Sequence, residues 1–186
     1  MYVTAEISKE GADNILSQQK FFSPFRFRKQ IILPKRIELI YLPFYLFEIE
    51  NQCDRCSDEA GKQKEKVAVV LDGLLGDNLF FIRENIMYSE RIDTPVCPFV
   101  LSRSEARRMA LDKYKWLQVE HRLRMKQKLV LGEITGFKMI FYPFWVGYYQ
   151  RRGAYDFRIM DGVSGEVQGV RMRKVFLKAL RALEDI

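Results

Sequence analysis

The chain has 186 residues, of which 48% are hydrophobic and 13% aromatic, and this composition excludes a wholly disordered protein. No run reaches the roughly 18 uncharged apolar residues of a membrane-spanning helix, and the first residues do not resemble a signal peptide. Three cysteines are an odd number, which argues against a disulfide framework and predicts a cytoplasmic protein in a reducing compartment.

The formal charge of +7 is distributed unevenly along the chain. Residues 1–95 contain 13 Lys or Arg and 15 Asp or Glu, a net charge of −2, whereas residues 96–186 contain 18 and 9, a net charge of +9. The two halves are therefore expected to face different partners, or to face each other.

The first half begins with a predicted helix over residues 7–16, in which Ser8 is the N-cap and Ala12, Ile15 and Leu16 share one face. We expect the helix to end before the following Ser-Pro pair, because a residue that precedes proline avoids the α region.

The most apolar part of the first half is residues 36–50, where both alternating faces are rich in Ile, Tyr, Phe and Leu. Such a pattern predicts one or two covered central strands. Pro43 cannot donate a backbone hydrogen bond, so we expect an edge or a bulge there. Residues 51–66 are polar and are predicted to form a long loop, and residues 67–71 and 78–83 are predicted to form the strands on either side of a turn.

The pattern of the first half restarts after a connector at residues 84–98. Ser102 and Glu105 have the spacing of a capping box, which predicts the start of a second helix. Residues 136–150 are predicted to form an apolar strand, and residues 175–183 belong to a predicted amphipathic helix at the end of the chain.

Two segments of the chain are similar in sequence. Residues 37–50 align without a gap on residues 137–150, and the residues at the positions of Ile40, Pro43 and Phe44 are identical in the second copy. The helix starts and the Asp-Gly turns also recur in the same order in both halves, so coincidence is a poor explanation of the pattern.

The repeat predicts the fold class and the domain organisation. We expect an α+β fold, built from an internally duplicated unit of one helix packed on an antiparallel β-sheet. The predicted repeats are residues 1–90, which contain the Cys-x-x-Cys loop at residues 51–66, and residues 96–186, which contain the C-terminal amphipathic helix. Phe44 and its copy Phe144 are both predicted to be core residues.

Cysteine and histidine residues are the candidate metal ligands. Cys53 and Cys56 form a Cys-x-x-Cys motif, which is half of a common type of zinc site, and Cys97 and His121 are the further candidates at an irregular spacing. The motif is absent from the second repeat, so ordinary thiols, a metal site and a redox pair are three open interpretations. We expect ordinary thiols, no cofactor and no complete zinc site within one chain. Zinc bound through Cys53 and Cys56 of two chains is the alternative.

Two Asp-Gly pairs are predicted to form structural turns, namely Asp72-Gly73 in the first half and Asp161-Gly162 in the second. Glycine tolerates positive φ, and an aspartate side chain accepts hydrogen bonds from its own turn. The chain has one histidine, and no nucleophile is placed beside it by the pattern, so no catalytic residue is predicted.

Basic residues crowd the predicted second helix. Such a face can neutralise phosphates, so a nucleic-acid-binding surface is one interpretation. A solvated helix face, or a face that meets the more acidic first half, is the other. The candidate nucleic-acid-binding residues are Arg103, Arg107, Arg108, Lys115, Arg122 and Arg124.

The second half resembles a known family of small modules. A Leu-Ser-x-x-Glu-Ala helix start, aromatic strands and a Tyr-x-Phe-x-Ile-x-Asp-Gly-x-x-Gly-Glu-Val motif that ends at Val167 are similar to PepSY-type modules. The resemblance is best over residues 100–168 and fainter over residues 5–80. In that family one helix packs on an antiparallel sheet, and the modules are typically extracytoplasmic and bind or inhibit partner proteins. The resemblance therefore implies an α+β fold and a protein partner, and it supplies no catalytic residue.

These observations predict a non-enzymatic interaction module that binds a protein partner or a second copy of itself and has no membrane span. The alternative is a nucleic-acid-binding protein that uses the basic second half of the chain.

Overall fold

The computed structural model describes residues 1–17, 20–23, 26–31, 33–52, 64–77, 87–89, 94, 96–125, 132–151 and 153–184. Its helices are α1 (Lys9–Ser17), α2 (Arg103–Met125) and α3 (Val170–Glu184). Its strands are β1 (Tyr2–Val3), β2 (Lys20–Ser23), β3 (Arg26–Ile31), β4 (Arg36–Gln52), β5 (Lys64–Asp72), β6 (Tyr88–Ser89), β7 (Glu133–Arg151) and β8 (Ala154–Asp161). The predicted α+β fold class is confirmed.

Six of the strands form one mixed sheet, and β2 and β3 form a separate hairpin. The hydrogen-bonded order is β5-β4-β7-β1-β6, with β8 also paired to β7. The pairs β4–β5 and β7–β8 are antiparallel. The strand β1 runs parallel to β7 and pairs with it at Tyr2 and Phe141, so the sheet is mixed, whereas the predicted repeat unit has an antiparallel sheet.

The chain packs into two compact units, and each unit takes segments from both halves of the sequence. The first unit comprises Met1–Leu42, Asn85–Pro98 and Phe141–Ile186. The second comprises Pro43–Glu84 and Phe99–Ile140. Packing therefore divides the chain differently from the predicted sequence repeats, and the superposition of those repeats stays a prediction.

In the first unit, α1 packs on the hairpin β7–β8, which comes from the other half of the chain. Ala12 and Leu16 lie one helical turn apart on the predicted apolar face of α1, and they are buried against Trp145 and Met160 of the hairpin. The indole N–H of Trp145 donates to the carbonyl oxygen of Ile7 at 2.9 Å. This bond fixes the segment that leads into α1 onto the same hairpin.

The opposite face of that hairpin is covered by α3. Phe157 and Met160 of β8 are separated by an odd number of positions, so their side chains point to opposite faces of the sheet. The rings of Phe157 and Phe176 have centroids 5.1 Å apart, and Val175, Phe176 and Ala179 are fully buried. The predicted C-terminal amphipathic helix is therefore present and covers the sheet with its apolar face.

In the second unit, α2 packs on the hairpin β4–β5. The strands contribute alternate residues and the helix contributes residues spaced by four, as one face of each element requires. The buried cluster consists of Tyr45, Phe47, Ile49, Val69 and Leu71 from the strands and Ala106, Ala110 and Tyr114 from the helix. Burial of each large apolar side chain contributes about 1.5–3 kcal/mol, and the two alanines let the helix approach the aromatic face closely.

The β4–β5 ladder ends at Pro43. Its carbonyl oxygen accepts the N–H of Gly73 at 2.7 Å, but proline has no N–H to return to the Gly73 carbonyl. That carbonyl accepts the N–H groups of Val100 at 3.0 Å and Leu101 at 2.8 Å instead, immediately before α2. Because β4 lies between β5 and β7, Pro43 is not in an edge strand, which was one of the two alternatives expected there. The proline is tolerated because the segment before α2 supplies the missing donors.

The other hairpin ends with the same set of hydrogen bonds. The N–H of Gly162 donates to the Pro143 carbonyl at 3.0 Å, and the Gly162 carbonyl accepts the N–H groups of Glu6 at 3.0 Å and Ile7 at 2.9 Å. The segment before α1 thus binds the turn of the second half, as the segment before α2 binds the turn of the first half. Each helix is placed on the hairpin of the other half by its preceding residues.

Several boundaries differ from the prediction. The strand β4 is a single strand of 17 residues, and β5 begins at Lys64, so the polar segment at 51–66 is partly strand. Main-chain hydrogen bonds extend the β4–β5 ladder although its end is polar. The strand β3 overlaps a short strand expected at residues 30–33, whereas β2 and its pairing with β3 were not predicted. The predicted strand at 78–83 lies outside the described residues.

Candidate functional site

The second unit contains an open groove with a volume of about 650 Å³. One side is the start of α2, and the other is the first part of β7. The lining residues are Phe47, Arg103, Ser104, Arg107, Ile134, Thr135, Gly136 and Phe137. This basic groove is the candidate site, because it combines cationic side chains with an apolar floor.

The N-terminal cap of α2 positions the two arginines. The Ser102 hydroxyl accepts the N–H of Glu105 at 3.3 Å, and the Glu105 carboxylate accepts the N–H of Ser102 at 3.1 Å and its hydroxyl at 2.5 Å. The predicted capping box is therefore confirmed. These bonds lower the pKa of the Glu105 carboxyl. Arg103 is the first helical residue and Arg107 follows one turn later, so both lie beside the groove.

Aromatic side chains form the floor of the groove. The Arg103 guanidinium lies 4.1 Å from the centroid of the Phe137 ring, a cation–π geometry. The Phe137 ring packs at 5.3 Å from Phe47 and 5.9 Å from Tyr45, whose hydroxyl donates to the Leu101 carbonyl at 2.7 Å. The floor is therefore continuous with the core of the second unit.

The positive charge of the two arginines is not balanced by any carboxylate among the residues that line the groove. Arg103 and Arg107 are exposed, and no carboxylate is among the lining residues. Within the described part of the chain, Arg107 has no carboxylate at ion-pair distance. An anionic group that enters the groove would therefore meet two guanidinium groups that have no carboxylate partner among the described residues.

Ile134, Thr135, Gly136 and Phe137 of β7 form one rim of the groove, and they belong to a stretch, residues 133–140, that is an edge among the described strands of the second unit. On that side of β7 the pairing with β8 begins only at Phe144, and β1 reaches only Phe141. No described strand pairs with this edge of residues 133–140. Their other edge faces β4, where the Thr135 hydroxyl donates to the Glu48 carbonyl at 3.4 Å.

Glu48 also lies against this strand with its side chain. Its carboxylate is 3.5 Å from the Lys138 ammonium, and a Cβ at Gly136 would stand 2.6 Å from a Glu48 carboxylate oxygen. Glycine at this position therefore gives Glu48 the space in which it reaches Lys138. The ion pair is half exposed and stabilises the strand only weakly.

The predicted basic residues do not form one surface. Arg103 and Arg107 line the groove, whereas Arg108 and Lys115 are exposed away from its lining. Lys115 lies 3.9 Å from Asp112, so the outer face of α2 carries both signs of charge. The predicted residues Arg122 and Arg124 belong to α2, and their side chains lie outside the described part of the structure.

The candidate metal ligands are not brought together in the part of the chain that is described. Cys53 and Cys56 lie outside the described residues, as does the side chain of His121. Cys97 is buried in the first unit, where burial raises its pKa to about 11. Among the described residues, no three His, Cys, Asp or Glu side chains are grouped to hold a metal ion.

The two predicted turn aspartates organise their turns through backbone N–H groups. Asp72 is fully buried and accepts the N–H groups of Leu74, Leu75 and Asp77 at 2.6–3.1 Å. Burial raises the pKa of the Asp72 carboxyl, and these hydrogen bonds oppose that effect. The arrangement stabilises a turn in which Gly76 has a φ of 71°, a conformation that favours glycine.

The turn at Asp161 is built in the same way. Its carboxylate accepts the N–H groups of Val163 at 2.8 Å and Ser164 at 2.9 Å, and Gly165 has a φ of 75°. The Tyr142 hydroxyl also donates to this carboxylate at 3.0 Å. Gly73 and Gly162, the other two predicted turn residues, donate to Pro43 and Pro143 as described above.

A second groove of about 540 Å³ lies in the first unit and is lined by Glu38, Arg36 and Cys97 among others. Arg36 and Glu38 already have partners there, because the Glu38 carboxylate accepts hydrogen bonds from Arg36 and from the Tyr148 hydroxyl. Burial, with a further contribution from Glu38, raises the pKa of Tyr148. This groove is therefore a weaker candidate for an ionic ligand than the basic groove.

Sequence reasoning found the arginines of the basic groove but missed its floor. Phe47, Ile134 and Phe137 belong to apolar strands and carry no local signal that separates a groove residue from a core residue. The unpaired edge of β7 was also missed, because edge position depends on which strands are neighbours. The distance between Arg103 and Phe137 in sequence explains why their contact was not predicted.

No family model, no curated protein and no solved structure matches this chain. No described helix is both long enough and apolar enough to cross a membrane.

Proposed function

We propose that this protein is a non-enzymatic binding module that recognises a protein partner through the basic groove. The observation that supports the proposal is the pairing of two exposed arginines, Arg103 and Arg107, with an aromatic floor in one open groove. Arginine and aromatic side chains are enriched at protein interfaces and provide most of their hot spots. A cytoplasmic location is proposed with it, and the buried free thiol of Cys97 is compatible with a reducing compartment.

The test is selection of displayed random 12-residue peptides on the full chain, followed by affinity measurements on the selected peptides. The groove variant is Arg103→Glu with Arg107→Glu, and the matched control is Arg108→Glu with Lys115→Glu. Both variants make the same change in net charge on the same helix. We expect the groove variant to lose the selected peptides and the control to keep them, because only the first pair lines the groove.

Two results contradict this proposal. In one, no peptide is selected on the folded chain. In the other, both variants lose the selected peptides equally, which would indicate attraction by net charge instead of recognition in the groove. Circular dichroism of both variants checks that the exposed substitutions leave the fold intact.

A second candidate function is single-stranded nucleic-acid binding by the outer face of α2. The observation in its favour is Trp116, which is 73% exposed next to the exposed Lys115. Exposed aromatic rings can stack on bases and cations can neutralise phosphates. Binding of random single-stranded RNA in a salt series tests it. Steep loss of affinity with salt, together with loss in the Arg108→Glu and Lys115→Glu control, would support nucleic acid and contradict the groove proposal.

A further inference from the structure

We infer that the partner segment binds as an added β-strand on the edge of residues 133–140 with which no described strand pairs, and that it carries two acidic side chains separated by one residue. This inference rests on the proposed function and specifies its ligand. It starts from the edge itself, where the backbone N–H and C=O groups that residues 133–140 direct away from β4 have no partner among the described strands. An extended peptide satisfies such groups by strand addition.

The edge and the arginines belong to one groove. Ile134, Thr135, Gly136 and Phe137 line it from the strand side, and the two arginines line it from the helix side. A strand added to β7 would lie about 4.8 Å from it, with every second side chain directed to the face that α2 covers. The side chains on that face would therefore lie under the guanidinium groups, while the peptide backbone bonds the edge.

The spacing of the arginines selects a spacing in the ligand. Arg103 and Arg107 are four residues apart on a helix, so their Cβ atoms are about 6 Å apart. Alternate side chains on one face of a strand repeat at about 6.7 Å, which is close to that distance. Two carboxylates separated by one residue can therefore each meet one guanidinium group, whereas adjacent carboxylates point to opposite faces of the added strand.

The apolar floor favours a peptide over a nucleic acid at this position. The Phe137 ring already carries the Arg103 guanidinium on its face, so no base can stack there without displacing it. A free strand edge also recognises main-chain amides, which nucleic acids lack. A second copy of this chain could pair along the same edge, and the test below separates that occupant from a peptide.

The test uses the full chain with its affinity tag at the C-terminus, because the Met1 carbonyl accepts the N–H of Phe141, next to this edge. Three fluorescein-labelled nine-residue peptides of equal charge are compared by fluorescence anisotropy. The first has two Asp residues separated by one Val, the second has the two Asp residues adjacent, and the third is the first peptide with N-methylated backbone amides. Hydrogen exchange of the amides of residues 133–140 is followed with and without the first peptide.

We expect the spaced peptide to bind at least ten-fold more tightly than the adjacent isomer, and N-methylation to abolish binding. We expect slower exchange for alternate amides in residues 133–140. The Arg103→Glu, Arg107→Glu variant should lose at least ten-fold in affinity, and the Arg108→Glu, Lys115→Glu control should stay within two-fold. The comparison among peptides uses one unmodified protein, so it does not depend on the folding of a variant.

Equal affinity of the isomers, or unchanged exchange of the edge amides, would overturn strand addition. If displayed peptides still require Arg103 and Arg107 in that case, the proposed function stands and only its binding mode is wrong. A dimer in light scattering that protects the edge amides and excludes all peptides would identify a second copy as the occupant and overturn the peptide proposal. Tighter binding of single-stranded RNA to the groove than of any peptide would overturn both proposals.

Discussion

Ser102 and Glu105 hold the first turn of α2 by reciprocal hydrogen bonds. This turn contains Arg103, so the capping box also orients a groove residue. The Glu105 carboxylate is charged when it accepts these bonds, and they lower its pKa. A lowered pKa in the folded state means that the carboxylate stabilises the fold above its unfolded pKa. That contribution disappears as the pH falls through the folded pKa.

The first prediction follows from this linkage. The parent protein should have a higher free energy of unfolding than Glu105→Gln at pH 7. This gap in unfolding free energy should close as the solution is acidified below the pKa of Glu105, because the parent side chain then becomes neutral. Urea unfolding at a series of pH values measures the gap, and Glu133→Gln is the control away from the cap. A gap that stays constant with pH would show that the charge of Glu105 has no role.

Cys97 is 1% exposed, and burial raises its pKa to about 11. The thiolate is the reactive form, so at pH 8 roughly one buried thiol in a thousand is ionised. In the Cys53→Ser, Cys56→Ser background we therefore expect no reaction of the folded protein with a chromogenic disulfide reagent within minutes. One thiol per chain should react after unfolding in urea. Rapid reaction of the folded protein with one equivalent would contradict the burial of Cys97.

At the scale of the elements, β4 and β7 are long strands with a proline inside each. Pro43 and Pro143 end their ladders without loss of hydrogen bonding, because the Gly73 and Gly162 carbonyls accept bonds from the segments before the helices. The next residues, Phe44 and Phe144, are 0% and 2% exposed. Both phenylalanines are therefore core residues, as the sequence predicted.

The third prediction concerns these two phenylalanines. Phe44→Ala and Phe144→Ala should each destabilise the protein by about 3–5 kcal/mol, because a large ring is removed from a packed core. The control is Tyr155→Ala, whose ring is 83% exposed, and which should change stability by less than about 0.5 kcal/mol. Chemical unfolding measures all three. Wild-type stability of either phenylalanine variant would contradict its place in the core.

At the scale of the whole molecule, each unit needs both halves of the chain. The first unit combines α1 with the hairpin β7–β8, and the second combines α2 with the hairpin β4–β5. Residues 1–95 therefore lack α2, which covers the hairpin β4–β5, and residues 96–186 contain β7–β8 and α3 but lack α1, which covers the other face of that hairpin. A helix without its sheet loses most of its stability, since burial of its apolar face provides it.

The fourth prediction is that residues 1–95 and residues 96–186 do not fold as separate fragments. Mixing them should restore the cooperative unfolding of the full chain, and their opposite net charges of −2 and +9 should assist association. Circular dichroism and thermal melts of each fragment and of the mixture measure this. Cooperative unfolding of either fragment alone would show that this half folds without the other. It would contradict the dependence of each hairpin on a helix from the other half.

The candidate site was predictable only in part. Arg103 and Arg107 stood out as cations on a helix with a recognisable cap, because both signals are local. Arg108 and Lys115 carried the same signal, and nothing local separated them from the groove pair. Only the contact of Arg103 with Phe137, at a separation of 34 residues, shows which cations belong to the groove.

The elements with local signals were predictable from the sequence. The capping box of α2, the Ser8 start of α1, the amphipathic α3 and the Asp-Gly turns follow from caps, periodicity and turn chemistry within a few residues. Only the tertiary contacts show which helix covers which hairpin, which edge of β7 has no partner among the described strands and which arginines face that edge. Those features depend on contacts between distant residues, and a one-dimensional pattern with two similar hairpins and two similar helices fits either pairing equally well.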